Sequence, residues 1–386
     1  MTNTGSRLLH ASRPGAPPGT RAPLPRLVLW SRAVAALWCG AYLVLGVLWT
    51  RGSGSYPWAG SADEVDIFAP LDQAVVGAGT VAAAVAGLLL LAAGAFVRGR
   101  RGAGTAVAVA TSVLAALLAV VVPDMKVLAL AGYLPMLLVL LVLPSGPEVP
   151  WAEVFGWPTV NLLLLTVAGL AFAVHAVATW RSAADACVRC GRRGYGAGWW
   201  TPERIARWGR VGVAVAVTVP TFYAVTRYAW ALGIPLGMSR QTLEELRPIL
   251  WAGAGLATGA VVGAVLTTGL VRPWGERFPR WMPLLGARTV PVGLAVLPAT
   301  VVSVLVMSAG LMFVRLAVTG GLEVVPGKAT DVAAWLPELF WPLWSAGLAL
   351  ATWTYWLRRR AACGSETASP VVGDAGYLRG RARLPS

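Results

Sequence analysis

Charge is what this chain has least of. Charged residues make up 13% of its 386 positions, about half the roughly 25% of ordinary soluble domains. Acids are scarcer still, 17 Asp and Glu against 32 Lys and Arg, and none lies deep within an apolar run. That absence counts against a proton- or sodium-coupled pump, whose relays run through intramembrane carboxylates. Lysine is nearly missing too, since every basic residue except Lys126 and Lys328 is arginine. Together with the abundance of Ala, Gly and Val, this points to a bacterial genome of high G+C content. Four cysteines are too few for a disulfide framework. There is no phosphate-cradling Gly-x-x-x-x-Gly-Lys-Ser/Thr loop, no His-Glu-x-x-His helix and no Gly-x-Ser-x-Gly elbow. No catalytic residue or cofactor is therefore assigned, and the reading leans away from an enzyme.

What the chain has instead is hydrocarbon. Hydrophobic residues reach 57%, mean hydropathy is +0.66, and several apolar runs attain the roughly 20 residues that cross a bilayer. One removable signal peptide does not account for them all. The class is an all-α polytopic transmembrane helical bundle. The net charge of +15 sits in short clusters between apolar runs, not on one soluble face, so nucleic acid is not the partner. The partners expected are the lipid bilayer and its anionic headgroups, with a homodimer or a membrane partner protein as a further expectation.

Spans are expected at about 28–49, 71–97, 104–122, 158–180, 211–232, 248–271, 290–318 and 340–357. The apolar stretch 127–143 is ambiguous. Treated as a re-entrant or outer-surface segment, it leaves eight spans with both termini cytoplasmic. The outer loops and spans then hold seven basic residues of the 32, namely Arg51, Lys126, Arg227, Arg240, Arg247, Arg315 and Lys328. That distribution obeys the positive-inside rule. A nine-span path with the amino terminus outside is the alternative. The corresponding organisation is a disordered basic cytoplasmic tail (1–27), a first transmembrane half (28–180), a basic cytoplasmic linker (181–210), a second half (211–357) and a second basic tail (358–386). The location expected is the bacterial cytoplasmic membrane.

Two internal echoes suggest that the halves are parallel four-span repeats. Tyr42, Trp49 and Gly52 recur 181 residues later as Tyr223, Trp230 and Gly233, with Gly46 in the place of Arg227. Glu153-Val154-Phe155-Gly156-Trp157-Pro158 recurs as Glu338-Leu339-Phe340-Trp341-Pro342. An even number of spans per half makes such repeats parallel rather than inverted.

Arg227 stands inside an apolar helix, with Tyr223 and Trp230 on the same face by their spacing. A charge at that depth is a functional candidate. The sharper reading is an outward-facing vestibule for an anionic headgroup or solute, lined by Arg227, Arg315, Tyr42, Trp49, Tyr223 and Trp230. The plainer readings are snorkelling to the headgroups, cation–π contact, or a buried ion pair with Asp72, Glu153 or Glu338. Gly255, Gly259 and Gly263, and likewise Gly79 and Gly87, form small-residue grooves expected to pack helix on helix inside the protein, with a dimer interface as the other reading. His175 reads as an interhelical hydrogen bond. Cys187 and Cys190 read as reduced cytoplasmic cysteines; the other reading is one thiolate knuckle of a zinc site that Cys363 and His10 would have to complete.

At Trp230-Ala231-Leu232-Gly233-Ile234-Pro235-Leu236-Gly237 and Trp274-Gly275-Glu276-Arg277-Phe278-Pro279-Arg280-Trp281-Met282-Pro283, the chain resembles a family of uncharacterised multi-pass membrane proteins of actinobacteria. The likeness covers about 205–360 and implies location and architecture, not an activity. The second segment reads as an interfacial motif, with Trp274, Phe278 and Trp281 at headgroup level and Arg272, Arg277 and Arg280 facing anionic lipid. The function expected is transporter-like or lipid-interacting, with an outward-facing anionic-ligand site; the alternative is a non-catalytic scaffold or partner subunit.

Overall fold

The computed structural model describes residues 25–53, 55–58, 66–68, 70–97, 99–142, 154–188, 191, 200–324 and 330–360, with side chains for all of these except 135–142, 323 and 324. Residues 1–24 and 361–386 of the two tails, and with them Cys363, lie outside the described residues, as does Cys190. Described are the long helices α1 (Arg26–Thr50), α2 (Gln73–Phe96), α3 (Arg101–Ala116, continued by a π turn at Leu117–Val121), α4 (Met125–Val142), α5 (Trp157–Ala183), α6 (Pro202–Ala231), α7 (Leu250–Thr268), α8 (Val292–Thr319) and α9 (Trp341–Arg359). Seven of them, counting α3 with its π turn and α7 with the turn before it, are long and apolar enough to cross a membrane. The protein is an all-α membrane protein. α9 is less apolar, being rich in tryptophan, but its 19 residues reach about 28 Å at the α-helical rise.

Local chemistry sets the ends. Pro158 and Pro342 occupy the first turns of α5 and α9, where a missing N–H costs no hydrogen bond. Thr201 caps α6 by accepting from the Arg204 N–H, with Pro202 and Glu203 behind it. α6 therefore begins well before the apolar run expected at 211: a Thr-Pro-Glu start launches a helix whose first turns carry Arg204, Arg207 and Arg210. Residues 202–210 are helical and continuous with the span.

α1 and α6 end alike. Gly52 and Gly233 both take the left-handed conformation, at φ 70° and 78°, and each closes its helix through the same pair of bonds. Ser53 N–H donates to Leu48 O and Gly52 N–H to Trp49 O; Ile234 N–H donates to Ala229 O and Gly233 N–H to Trp230 O. This is the six-to-one closure that a glycine beyond a helix end permits.

The packing pattern is also shared. α1 lies against α2 and α5, and α3 against α5; α6 lies against α7 and α9, and α8 against α9. Each set encloses its own core, one around Phe172, Tyr42 and Trp49, the other around Phe313, Tyr223 and Tyr355. Leu305 of α8 and Leu128 of α4 join them. Where helices approach most closely, glycine is required: a Cβ on Gly77 would lie 2.6 Å from Thr50 N, and one on Gly212 would lie 2.7 Å from Gly347 O.

α3 and α5 run antiparallel, because Gly104 faces Ala183 at one end while Gly169 faces Ala115 and Ala119 toward the other. The chain between them, α4 included, therefore leaves and re-enters at the same end of the bundle. α6 and α9 are antiparallel too, with Gly212 against Ala351 and Tyr223 against Trp341. One end of the molecule gathers Arg101, Arg181, Arg358 and Arg359 with the connection after α7. The other gathers Asp66, Asp124, Asp331 and Glu338.

Candidate functional site

Arg227 does not stand open to a ligand at the acidic end. Its guanidinium lies between two rings, 4.4 Å from the centroids of both Tyr223 and Trp230. Its N–H groups are already engaged. Nη1 donates to Thr226 Oγ1 at 3.0 Å and to Ala333 O at 3.1 Å. Nη2 donates to Ala334 O at 3.3 Å and to the Glu338 carboxylate. Both partners of the ion pair are largely buried, their side chains 11% and 4% exposed. Of the readings open for Arg227, the geometry matches the ion pair with Glu338, reinforced by cation–π contact.

The segment supplying those carbonyls is tied down in turn. Asp331 accepts from Ser239 N–H at 2.6 Å and from Thr242 Oγ1 at 2.7 Å, Ala333 N–H donates to Gly237 O, and Trp230 Nε1 donates to Leu236 O. The turns after α6 and before α9 thus close over the end of the second half.

Arg315 belongs to a different cluster. It lies within electrostatic reach of Asp124 and Asp66, and Lys126 Nζ stands 3.7 Å from Asp124 and 3.8 Å from Asp66. Burial raises the Asp124 carboxyl above the ordinary carboxylate range, and Lys126 draws it part of the way back. Because Asp66 comes from the α1–α2 connection, Asp124 from the start of α4 and Arg315 from α8, the cluster links the two sets of helices. Ser308 of α8 adds a hydrogen bond to Pro123 O at 2.5 Å.

The aromatic pairs also separate. Tyr42 and Trp49 are buried in the first core, where Tyr42 donates to Asn161 at 2.6 Å and Trp49 meets Tyr56 and Trp58 edge-on. Tyr223 and Trp230 serve Arg227. Among the described residues, the contacts of the six vestibule residues fall in three separate places. His175 is buried and accepts from Arg32 Nε through Nδ1 at 3.1 Å, joining α5 to α1. Cys187 is half-buried, and no group of three metal-ligating side chains occurs among the described residues.

The glycine grooves divide as well. Gly87 is packed inside, where a Cβ would lie 2.7 Å from Cys39 Sγ and 2.9 Å from Phe172. Among the described residues, Gly79, Gly255, Gly259 and Gly263 have no neighbouring heavy atom within 4 Å of that position. An internal packing role is therefore corrected for these four: the inward face of α7 is Ala254, Ala257, Ala264 and Thr267, rotated away from its glycine stripe.

A cleft opens at the arginine-rich end, where the sequence reading placed only an interfacial motif. Between α7 and α8 is a cleft of about 780 Å³, walled by Leu266 and Leu270 on one side and Ala295, Ala299 and Val302 on the other. Trp344 and Leu348 of α9 form its floor, Trp274 and Phe278 its end, and among the described residues no charged one lines it. The connection 269–291 builds that end. It folds as a small hairpin, with Phe278 N–H donating to Arg288 O and Ala287 N–H to Phe278 O, both at 3.0 Å. The hairpin is anchored to α9 by Tyr355 donating to Gly275 O at 2.8 Å, and by Arg358 and Arg359 around Glu276. Glu276 is the hairpin's only acid. Arg272, Arg277, Arg280 and Arg288 remain exposed, beside Trp281, itself 79% exposed.

No protein-family model, curated protein or solved structure matches the chain.

Proposed function

We propose that the protein is a lipid-interacting membrane protein of eight spans in two parallel four-helix halves, which engages anionic headgroups through its arginine-rich end. The observation that carries this reading is the 269–291 connection with its hairpin. Its acid is neutralised by Arg358, while its four exposed arginines and Trp281 project from the end of the bundle. Aromatic rings at headgroup level and arginines facing phosphate are what an anionic bilayer surface selects. The antiparallel pairing of α3 with α5, the shared helix pairings and the matching closures at Gly52 and Gly233 support the architecture. An anion vestibule at the other end has less support, because Arg227 is held by Glu338 and two carbonyls.

The test reconstitutes the protein with spin-labelled phosphatidylglycerol or phosphatidylcholine and measures the motionally restricted fraction of each. Preference for the anionic lipid is expected, and it should fall with added salt and when Arg272, Arg277, Arg280 and Arg288 are all changed to Gln. Equal restriction of the two lipids, insensitive to the substitutions, refutes the reading. A second reading, a scaffold that docks another membrane helix, is favoured by the uncovered stripe Gly255, Gly259 and Gly263. It requires a second chain to bind there and to be lost in Gly259→Leu.

A further inference from the structure

The two sets of helices differ in how their second and third helices meet, and that difference leaves a space. α2 and α3 are joined by the four residues 97–100 and pack against each other. A short turn forces its helices to be neighbours. α7 and α8 are joined by a connection of 23 residues, 269–291, and scarcely touch. The hairpin in that connection sets Trp274 directly over Gly269, where a Cβ would lie 2.6 Å from the ring. It thereby wedges the two helix ends apart, and Pro298 stands within α8 beside the opening.

From this geometry we infer that the α7–α8 cleft is a lateral binding site for one acyl chain of a glycerophospholipid entering from the bilayer. The inference rests on the reading of the hairpin as headgroup-facing. Four features point to a hydrocarbon chain attached to a phosphate, not to a polar solute. The walls are aliphatic and aromatic with no charged group. The volume of about 780 Å³ falls within the roughly 300–1,000 Å³ of small-molecule sites. The uncovered glycine stripe of α7 continues from Gly263 at the cleft's edge through Gly259 to Gly255, so a chain leaving the cleft has a smooth groove along the same helix. The exposed Arg277 and Arg280 alternate in sequence with the lining residues Phe278, Pro279 and Trp281, so a phosphate at the mouth meets positive charge as its chain meets the cavity. The α2–α3 pairing closes the corresponding place in the first set.

The experiment reconstitutes the full chain with phosphatidylglycerol or phosphatidylcholine carrying a diazirine in one acyl chain. After irradiation, the labelled peptides are mapped. Adducts are expected to concentrate on 263–270, 294–302 and 344–348, and to fall several-fold there in Ala299→Phe and in Gly263→Leu, each of which fills the cleft from a different helix. Gly79→Leu, a lipid-facing position with no cleft beside it, should leave the pattern unchanged. Only variants that elute and melt like the wild type are scored, and two filling positions guard against the failure of either. Labelling spread evenly over the lipid-facing helices, or undiminished by filling, overturns the proposal. Chain-to-chain crosslinks through Ala299→Cys overturn it too, making a second copy the occupant. The two readings fail separately: if the headgroup reading is wrong, both lipids label the cleft alike and filling still abolishes it. If the cleft inference is wrong, an anionic preference persists with adducts elsewhere.

Discussion

Gly46 and Arg227 each stand six residues ahead of a left-handed glycine, and they do opposite things. A Cβ on Gly46 would meet Val81 Cγ2 at 2.9 Å and Gly77 O at 3.0 Å, so its absence lets α1 and α2 close together. Arg227 reaches across to the segment before α9 and holds it by charge. Breaking a buried pair by removing one partner costs about 3 kcal/mol, whereas replacing both by apolar groups is often nearly neutral. Arg227→Ala and Glu338→Ala are therefore each expected to lower unfolding stability in detergent by about that amount, and Arg227→Met with Glu338→Leu by clearly less. A double variant as unstable as the singles would show that the carbonyl bonds to Ala333 and Ala334, not the charge pair, carry the contact. The sequence made Arg227 conspicuous and named Glu338 among its partners. It left the choice open because the pairing spans 111 residues, a distance that spacing on one helix does not address.

At the scale of the helix, glycine spacing reports a face but not what the face meets. Gly212 lies against Gly347 O and Ala351 N, at 2.7 and 2.8 Å from where a Cβ would sit, whereas Gly255 has open space. Gly212→Leu forces two backbones apart and is expected to cost about 1–3 kcal/mol. Gly255→Leu adds helix propensity, worth up to about 1 kcal/mol, and should leave the monomer no less stable. Thermal unfolding of the two variants side by side checks this; equal destabilisation would place Gly255 in a packed interface. The helix boundaries were legible because an apolar run of bilayer length leaves few alternatives. The start of α6 was not, since its charged first turns look like a loop until Thr201 and Pro202 are read as a cap. The cleft was hidden for a related reason. Its walls are ordinary apolar spans, and only the length of the connection between them distinguishes α7–α8 from α2–α3.

At the scale of the whole molecule, the fold sorts charge between its two ends. The contact of Arg181 with Trp356, the clasp of Arg358 on Glu276 and the pairing of Arg101 with Asp185 place the arginine-rich connections together. Asp66, Asp124, Asp331 and Glu338 lie at the opposite end. A bundle so polarised is expected to insert with its basic end in the cytoplasm, because Lys and Arg in short loops resist translocation while acids contribute little. The orientation is testable at two exposed positions on opposite ends, Leu284 in the hairpin, 91% exposed, and Gln241 in the turn after α6. An impermeant maleimide added to intact cells is expected to label Gln241→Cys and to spare Leu284→Cys until the membrane is opened, read against the unsubstituted protein. The reverse pattern would turn the hairpin outward and remove the cytoplasmic leaflet's anionic surface as its partner. Labelling of both in intact cells would mean that the two ends do not lie on opposite sides and that α7 does not cross between them. The expected pattern puts the hairpin's arginines and the mouth of the α7–α8 cleft at one interface, which is the arrangement a single lipid needs to place its phosphate and its chain at once.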